Sequence, residues 1–420
     1  MSPADSFLQE HDELTRRYFL KLGTIGASAA ALLPRLAGAE QRAPELQKAL
    51  ESLESYLTKQ EDFRDVSRGK PVPHSLTEEQ RTEVGLTRET WKLQVVPDPQ
   101  NKPDIRNPLT DEDETALDFD ALLQMAKKHA VRFPKVMTCN NIGSPLGMGI
   151  WEGVPLREVL WLTEMRRNVR RVFYYGFHNN EESQMFRSSM PIGRILEDPF
   201  GLPPVILCYK LNGDWLNPQR GGPVRIVVPE TYGFKSVKWL SHVVISNIAH
   251  ANDTYIGGNN DIDSWLKTFA ATLKVPGKVK PGQPIPITGY AQVGIGGLAK
   301  VQTWVHNNDE DLPSGDPHFT KAPWRDAEIL PVPSKWGGGI PDAKIPESTM
   351  GFDPETGQPR TWPIRLAKAH WATLLPGLPA GSYTLRCRTV DEYGNAQPMP
   401  RPFDKSGRNS IEQVRLSVEA

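Results

Sequence analysis

Val275-Pro276-Gly277-Lys278-Val279-Lys280-Pro281-Gly282-Gln283-Pro284-Ile285-Pro286 divides the chain into two regions of different character. Its prolines and glycines interrupt both helices and central strands, so it reads as a connector. Ahead of it, helical and strand patterns alternate. Leu46, Leu50, Leu53 and Leu57 recur at three- and four-residue spacing and predict an amphipathic helix over 44–59. Further helices are expected over 118–129 and over 154–162, the latter opened by Pro155 in its first turn. Residues 91–96, 169–176, 205–209, 224–228 and 239–247 are β-branched or aromatic runs and predict strands. Beyond the connector, residues 287–290, 300–306 and 382–390 are short strand patterns separated by turns, the signature of a small β-sandwich. The stretch 307–361 is polar and rich in Gly and Pro, an ordered cap or a mobile loop. The fold class expected is α+β, with domains at 40–274 and 275–420.

The 420 residues carry 49 Lys+Arg against 50 Asp+Glu, a net charge of −1. That balance gives no field to draw in nucleic acid or an anionic membrane. Three scattered cysteines, Cys139, Cys208 and Cys387, exclude a disulfide framework, a zinc ribbon and a haem c motif. Thr15-Arg16-Arg17-Tyr18-Phe19-Leu20-Lys21 precedes a mildly apolar stretch at 22–33 and the small residues Ala37-Gly38-Ala39. This is similar to a Tat signal peptide over 1–39 and implies export of a folded protein to the periplasm. The apolar stretch is short for a membrane anchor.

Thr138-Cys139-Asn140-Asn141 is followed by Ile150-Trp151-Glu152-Gly153-Val154-Pro155-Leu156-Arg157-Glu158-Val159-Leu160. Further on come Tyr209-Lys210-Leu211-Asn212-Gly213, Gly222-Pro223-Val224-Arg225-Ile226-Val227-Val228-Pro229 and Gly233-Phe234-Lys235-Ser236-Val237-Lys238-Trp239. In this order these segments resemble the motifs of the sulfite oxidase family of molybdopterin enzymes. The resemblance implies a mixed α/β molybdopterin-binding domain followed by an immunoglobulin-like β-sandwich that forms a homodimer.

It also implies a molybdopterin cofactor with Cys139 as the metal ligand, since a soft thiolate on a rigid loop suits a high-valent metal. Cys208 and Cys387 fall in β runs and read as core. The pterin is polyanionic, and Arg225, Lys235, Ser236 and Lys238 are implied as its contacts, joined by Arg68 and His178. Tyr255 falls where the resemblance implies an active-site tyrosine, able to donate a hydrogen bond to a substrate oxygen without adding charge. The position five residues past the cysteine, where the family has a sulfite-binding arginine, is Ser144 here. Arg220, Arg187 and Arg408 are the candidates to supply that cation. The expected function is oxygen-atom transfer at a small anionic substrate, sulfite or a sulfur species. Without a haem or flavin segment after the β-domain, electrons would pass to a separate acceptor such as a c-type cytochrome. Sulfoxide or N-oxide reduction by the same cofactor, and a noncatalytic subunit that keeps the fold, stay open as alternatives.

Overall fold

A computed structural model describes residues 42–419 apart from 143, 400 and 402. The segment 1–39, expected to be a Tat signal, lies outside the described residues. Residues 48–420 form one compact unit. The architecture is α+β, mostly sheet with few and short helices.

One five-stranded sheet runs Leu117–Asp118, Lys92–Pro97, Leu240–Ser246, Arg171–Gly176, Arg187–Pro191. Its central pairing, Lys92–Pro97 beside Leu240–Ser246, is parallel, while Arg171–Gly176 runs antiparallel to Leu240–Ser246. A second sheet orders Asp214–Trp215, Ile206–Leu211, Pro145–Pro155 and Val131–Thr138, with Arg225–Val227 also paired to Ile206–Leu211. Both sheets and the helices Phe119–His129 and Leu156–Leu162 contribute to a shared core that includes Leu93, Leu122, Val159, Val172, Leu207 and Leu240. Asp118 caps the first of these helices by accepting from the Ala121 amide at 2.7 Å.

Val131–Thr138 and Pro145–Pro155 form a long hairpin, and its connecting loop carries Cys139. The apolar periodicity misses this hairpin. Pro134 and Lys135 interrupt one strand, and Gly147, Gly149 and Gly153 interrupt the other. Each glycine has a packing cause: a Cβ at Gly153 would stand 2.2 Å from the Leu207 carbonyl oxygen. The helix expected over 154–162 therefore begins only at Leu156, because Val154 and Pro155 complete the strand. The helix expected over 44–59 is likewise shorter, Pro44–Glu51. Leu57 lies in extended chain, where its amide donates to the Trp336 carbonyl at 2.9 Å.

The eight-stranded sheet takes its first strand, Phe269–Lys274, from ahead of the connector. The order continues Ile285–Gln292, Lys368–Leu375, Arg325–Ile329, Lys300–Asn307, Gly381–Val390, Glu412–Val418, Lys278–Val279. Arg325–Ile329 changes partner midway: residues 325–327 pair with Lys300–Asn307 and residues 328–329 with Lys368–Leu375. That switch curls the sheet around Trp371, Ile287, Leu385 and Leu416. The stretch 307–361 supplies this switching strand and packs Trp336 and Phe352 against Tyr56 and Leu57, so it is an ordered cap.

Candidate active site

The Cys139 loop faces a cavity of about 410 Å³ whose walls come from five other places in the sequence. Residues 63–69 form a strap along one side, and the 3-10 turn Pro218–Arg220 with the strand Arg225–Val227 forms the floor. The stretch 176–186, the turn 233–239 and the Tyr255 turn, Thr254–Ile256, close the rest. Among the described residues, the lining side chains include Arg64, Arg68, Arg220, Arg225 and Lys238 and no carboxylate. Cys139 is half-buried, and its thiol donates to Asn141 Oδ1 at 2.7 Å.

The floor is built by backbone capture. Asn217 caps its turn by accepting from the Arg220 amide at 2.8 Å, and Gly221 follows in the left-handed region at φ 98°. A Cβ at Gly221 would stand 2.7 Å from the Lys238 Cβ, so only glycine lets that lysine close on the turn. Arg225 is buried, with Nη1 on the Arg220 carbonyl at 2.8 Å and Nη2 on the Ser236 carbonyl. Its guanidinium lies 5.3 Å over the Trp151 ring. Burial pushes its pKa down to about 10. Lys238 Nζ reaches Asp65 Oδ1 at 2.9 Å, Ser67 Oγ at 2.9 Å and the Gln219 carbonyl at 2.8 Å. Burial, and then Arg225, push it down to about 7 despite Asp65.

Arg225 Nε and Arg220 Nε and Nη2 are buried with no hydrogen-bond partner among the described residues; Asp65 lies 3.8 Å from Arg220 Nη2. Buried guanidinium donors without acceptors are costly. A phosphate would satisfy them. The donor set thus fits a polyanionic cofactor, and the thiol beside it fits a soft metal.

Of the residues expected from the sequence, Cys139, Arg68, His178, Arg225, Ser236, Lys238, Tyr255 and Arg220 line this one cavity. Lys235 does not. Its Nζ is turned into the interior, 2.6 Å from Asp253 Oδ2 and 2.8 Å from the Ser189 carbonyl. Asp253 also accepts from the Ser189 amide and from Ser188 Oγ, so this buried pair anchors the turn that bears Tyr255. Lys235 is corrected from a cofactor contact to a positioning residue. Tyr255 stacks on Phe234 at 5.5 Å, and burial, then Cys139, raise its phenol above the usual value, so it stays a protonated donor at neutral pH.

Arg187 and Arg408 are corrected as well. Arg187 donates to the Asn252 carbonyl at 2.9 Å and lies over Phe173; Arg408 is exposed, and neither lines the cavity. Sequence reasoning missed Arg64, an exposed residue of a Pro- and Asp-rich segment whose only signal was its place four residues before Arg68.

Residues 87–254 match the oxidoreductase molybdopterin binding domain. The chain carries a molybdopterin-binding oxidoreductase domain, with molybdopterin as its cofactor. Among curated relatives, a sulfite oxidase of Arabidopsis thaliana is 25% identical over 212 residues, 43% of this chain and 53% of that protein. A nitrate reductase [NADPH] of Beauveria bassiana is 28% identical over 126 residues, 30% of this chain and 14% of that protein. The chain thus spans about half of one relative and a small part of the other. The sulfane dehydrogenase SoxCD from Paracoccus pantotrophus shares the fold at TM-score 0.54 and 18% identity, over 80% of this chain and 79% of that one.

Proposed function

We propose that this protein oxidises a small sulfur oxyanion, sulfite or a bound sulfur species, in the periplasm after Tat export, and passes the electrons singly to a c-type cytochrome. The observation that carries this reading is one cavity lined, among the described residues, by five Arg and Lys side chains and no carboxylate, with Cys139 at its edge. Such a lining favours both an anionic cofactor and an anionic substrate.

When bound, the molybdenum cofactor supplies two-electron oxygen-atom transfer. Sulfite and water would then yield sulfate, two protons and two electrons. Arg220, Arg225 and Lys238 would hold the cofactor's phosphate, with Arg68, His178 and Ser236 as further contacts. Cys139 would be the protein's ligand to the metal. Tyr255, fixed by the Lys235–Asp253 pair, donates its phenol proton to a substrate oxygen and orients it. An immunoglobulin-like character for the second part and a homodimer formed through it belong to the same reading. The curled eight-stranded sheet supports the first of these, and its opening strand Phe269–Lys274 argues for a division ahead of 269 rather than at 274/275. Sedimentation at micromolar concentration should give twice the monomer mass.

The test is purification of the full chain from a host that makes the cofactor, with molybdenum and pterin quantified, followed by sulfite-dependent reduction of cytochrome c. Turnover with about one molybdenum per chain supports the reading. Turnover of a neutral sulfoxide, an N-oxide or nitrate with a reduced dye, and none with sulfite, replaces it with a reductase. A chain without molybdenum or pterin reduces it to a binding subunit.

A further inference from the structure

The five cations around the cavity are not equivalent. Arg220 and Arg225 are buried and Lys238 is partly so, and the latter two are held by carbonyls and Asp65. Arg68 leans on the Phe186 ring at 5.5 Å, and Phe186 in turn approaches Tyr255. Arg64 differs from all of these. It is exposed, it lines the cavity, and its guanidinium reaches the cysteine loop through one long contact, Nη1 to Ser144 Oγ at 3.5 Å. It has no carboxylate partner among the described residues.

Its position is nevertheless fixed. The Arg64 amide donates to the Leu146 carbonyl at 2.8 Å, which ties the strap to the exit of the Cys139 loop. On one side, Phe63 is buried with its ring 5.9 Å from Trp151, and Gly147 makes room for it: a Cβ there would meet the ring at 2.5 Å. On the other side, Asp65 is bound to Lys238. The backbone is clamped before and after Arg64, while the side chain is left with free donors. A guanidinium in this state is a ready fork for an oxyanion: its anchoring cost is already met, and a weak contact to a hydroxyl is the only one to be exchanged.

We infer that Arg64 holds the oxyanion substrate beside Cys139, an inference that rests on the oxyanion reading above. The strap thereby supplies across space the cation that the cysteine loop lacks at Ser144. Arg64 is a specificity-determining residue: it binds the substrate's charge, and Arg220, Arg225 and Lys238 are left to the cofactor.

The test uses the full-length, cofactor-loaded protein and two readouts. One is equilibrium binding of sulfate, a non-reactive oxyanion, by titration calorimetry; the other is sulfite kinetics. Arg64→Ala should weaken sulfate binding and raise the sulfite KM on the order of tenfold, with a smaller loss in kcat and unchanged molybdenum and pterin content. Arg64→Lys should recover part of the loss, and Arg408→Ala should change neither constant. The inference is overturned if Arg64→Ala leaves both constants within about twofold of wild type, or if the wild-type protein binds no sulfate. It is equally overturned if Arg68→Ala produces the whole effect and Arg64→Ala none. If sulfate binding depends on Arg64 but sulfite is not turned over, Arg64 stands as the anion holder and the sulfite reading falls.

Discussion

Arg225 Nη1 donates to the Arg220 carbonyl at 2.8 Å, so one buried guanidinium fixes the backbone turn that presents the other. The two arginines are a single construction: Arg225 spends two of its donors on carbonyls and keeps Nε free, while Arg220 keeps Nε and Nη2 free.

Arg225→Ala should therefore lower cofactor affinity twice over, by removing a phosphate donor and by loosening the turn under Arg220. A hydrogen bond to a charged group contributes about 1.5–3 kcal/mol, so retention should fall on the order of ten- to a hundredfold. Pterin fluorescence and metal analysis of the purified protein check this. Full retention in a protein of lower melting temperature would make the role purely structural.

Cys139→Ala removes one small, half-buried side chain from a loop, so the protein should fold and keep its pterin. Turnover should fall by more than the roughly 100-fold typical of losing an outer-shell metal contact. Wild-type molybdenum content together with unchanged turnover would remove Cys139 from the metal.

Lys238 and the fully buried Lys135 both sit near 7, pushed down by burial, with Arg225 opposing charge on each and Asp65 and Glu230 respectively favouring it. An unfolded lysine titrates near 10.4. Between these values the unfolded chain holds protons that the folded chain has released, so these groups make the cofactor-free protein more stable as pH rises above about 7. Melting curves from pH 7 to 8.5 should show a smaller upward slope in Lys135→Met than in wild type. Loading with the cofactor should flatten the part due to Lys238, whose charged form the phosphate favours.

Glu54 is held at about 2, chiefly by His370, whose Nε2 lies 3.8 Å away, and then by Lys368, both on the curled sheet. A lowered carboxyl stabilises the fold above its unfolded value and loses that contribution as pH falls from about 4.5 toward 2. Glu54→Gln should destabilise at neutral pH by about 1–2 kcal/mol, less than for a fully buried pair because Glu54 is half exposed. Its acid unfolding should be shallower than that of wild type. Equal slopes would show that the pair does not contribute.

The cavity lining was legible in the sequence where a residue's chemistry and its motif coincided: Cys139, Arg225, Lys238 and Tyr255 needed no partner to be read. Lys235 was misread because its partner, Asp253, is 18 residues away, and no local pattern tells a lysine facing a cavity from one facing a carboxylate. Arg64 was missed for the converse reason. Its role follows from a strap whose register is set by Phe63 and Asp65 against distant strands. The hairpin under Cys139 escaped because glycines placed for close strand approach erase the apolar alternation that marks a strand. The strands Lys368–Leu375 and Glu412–Val418 went unread as well, and their alternation is weak: the former is buried along most of its length and the latter carries Glu412 and Arg415.

Asn140, next to the cysteine, donates through Nδ2 to the Lys405 carbonyl at 3.2 Å; Asp261 donates its amide to that same carbonyl, and Ser264 bonds the Ser406 carbonyl. The loop that bears the thiol is thus sutured to residues made about 265 positions later. During synthesis those stitches cannot close until residues 405 and 406 have left the ribosome. The pocket therefore matures well after its cysteine has been made, and a tightly held cofactor must wait for that distal segment.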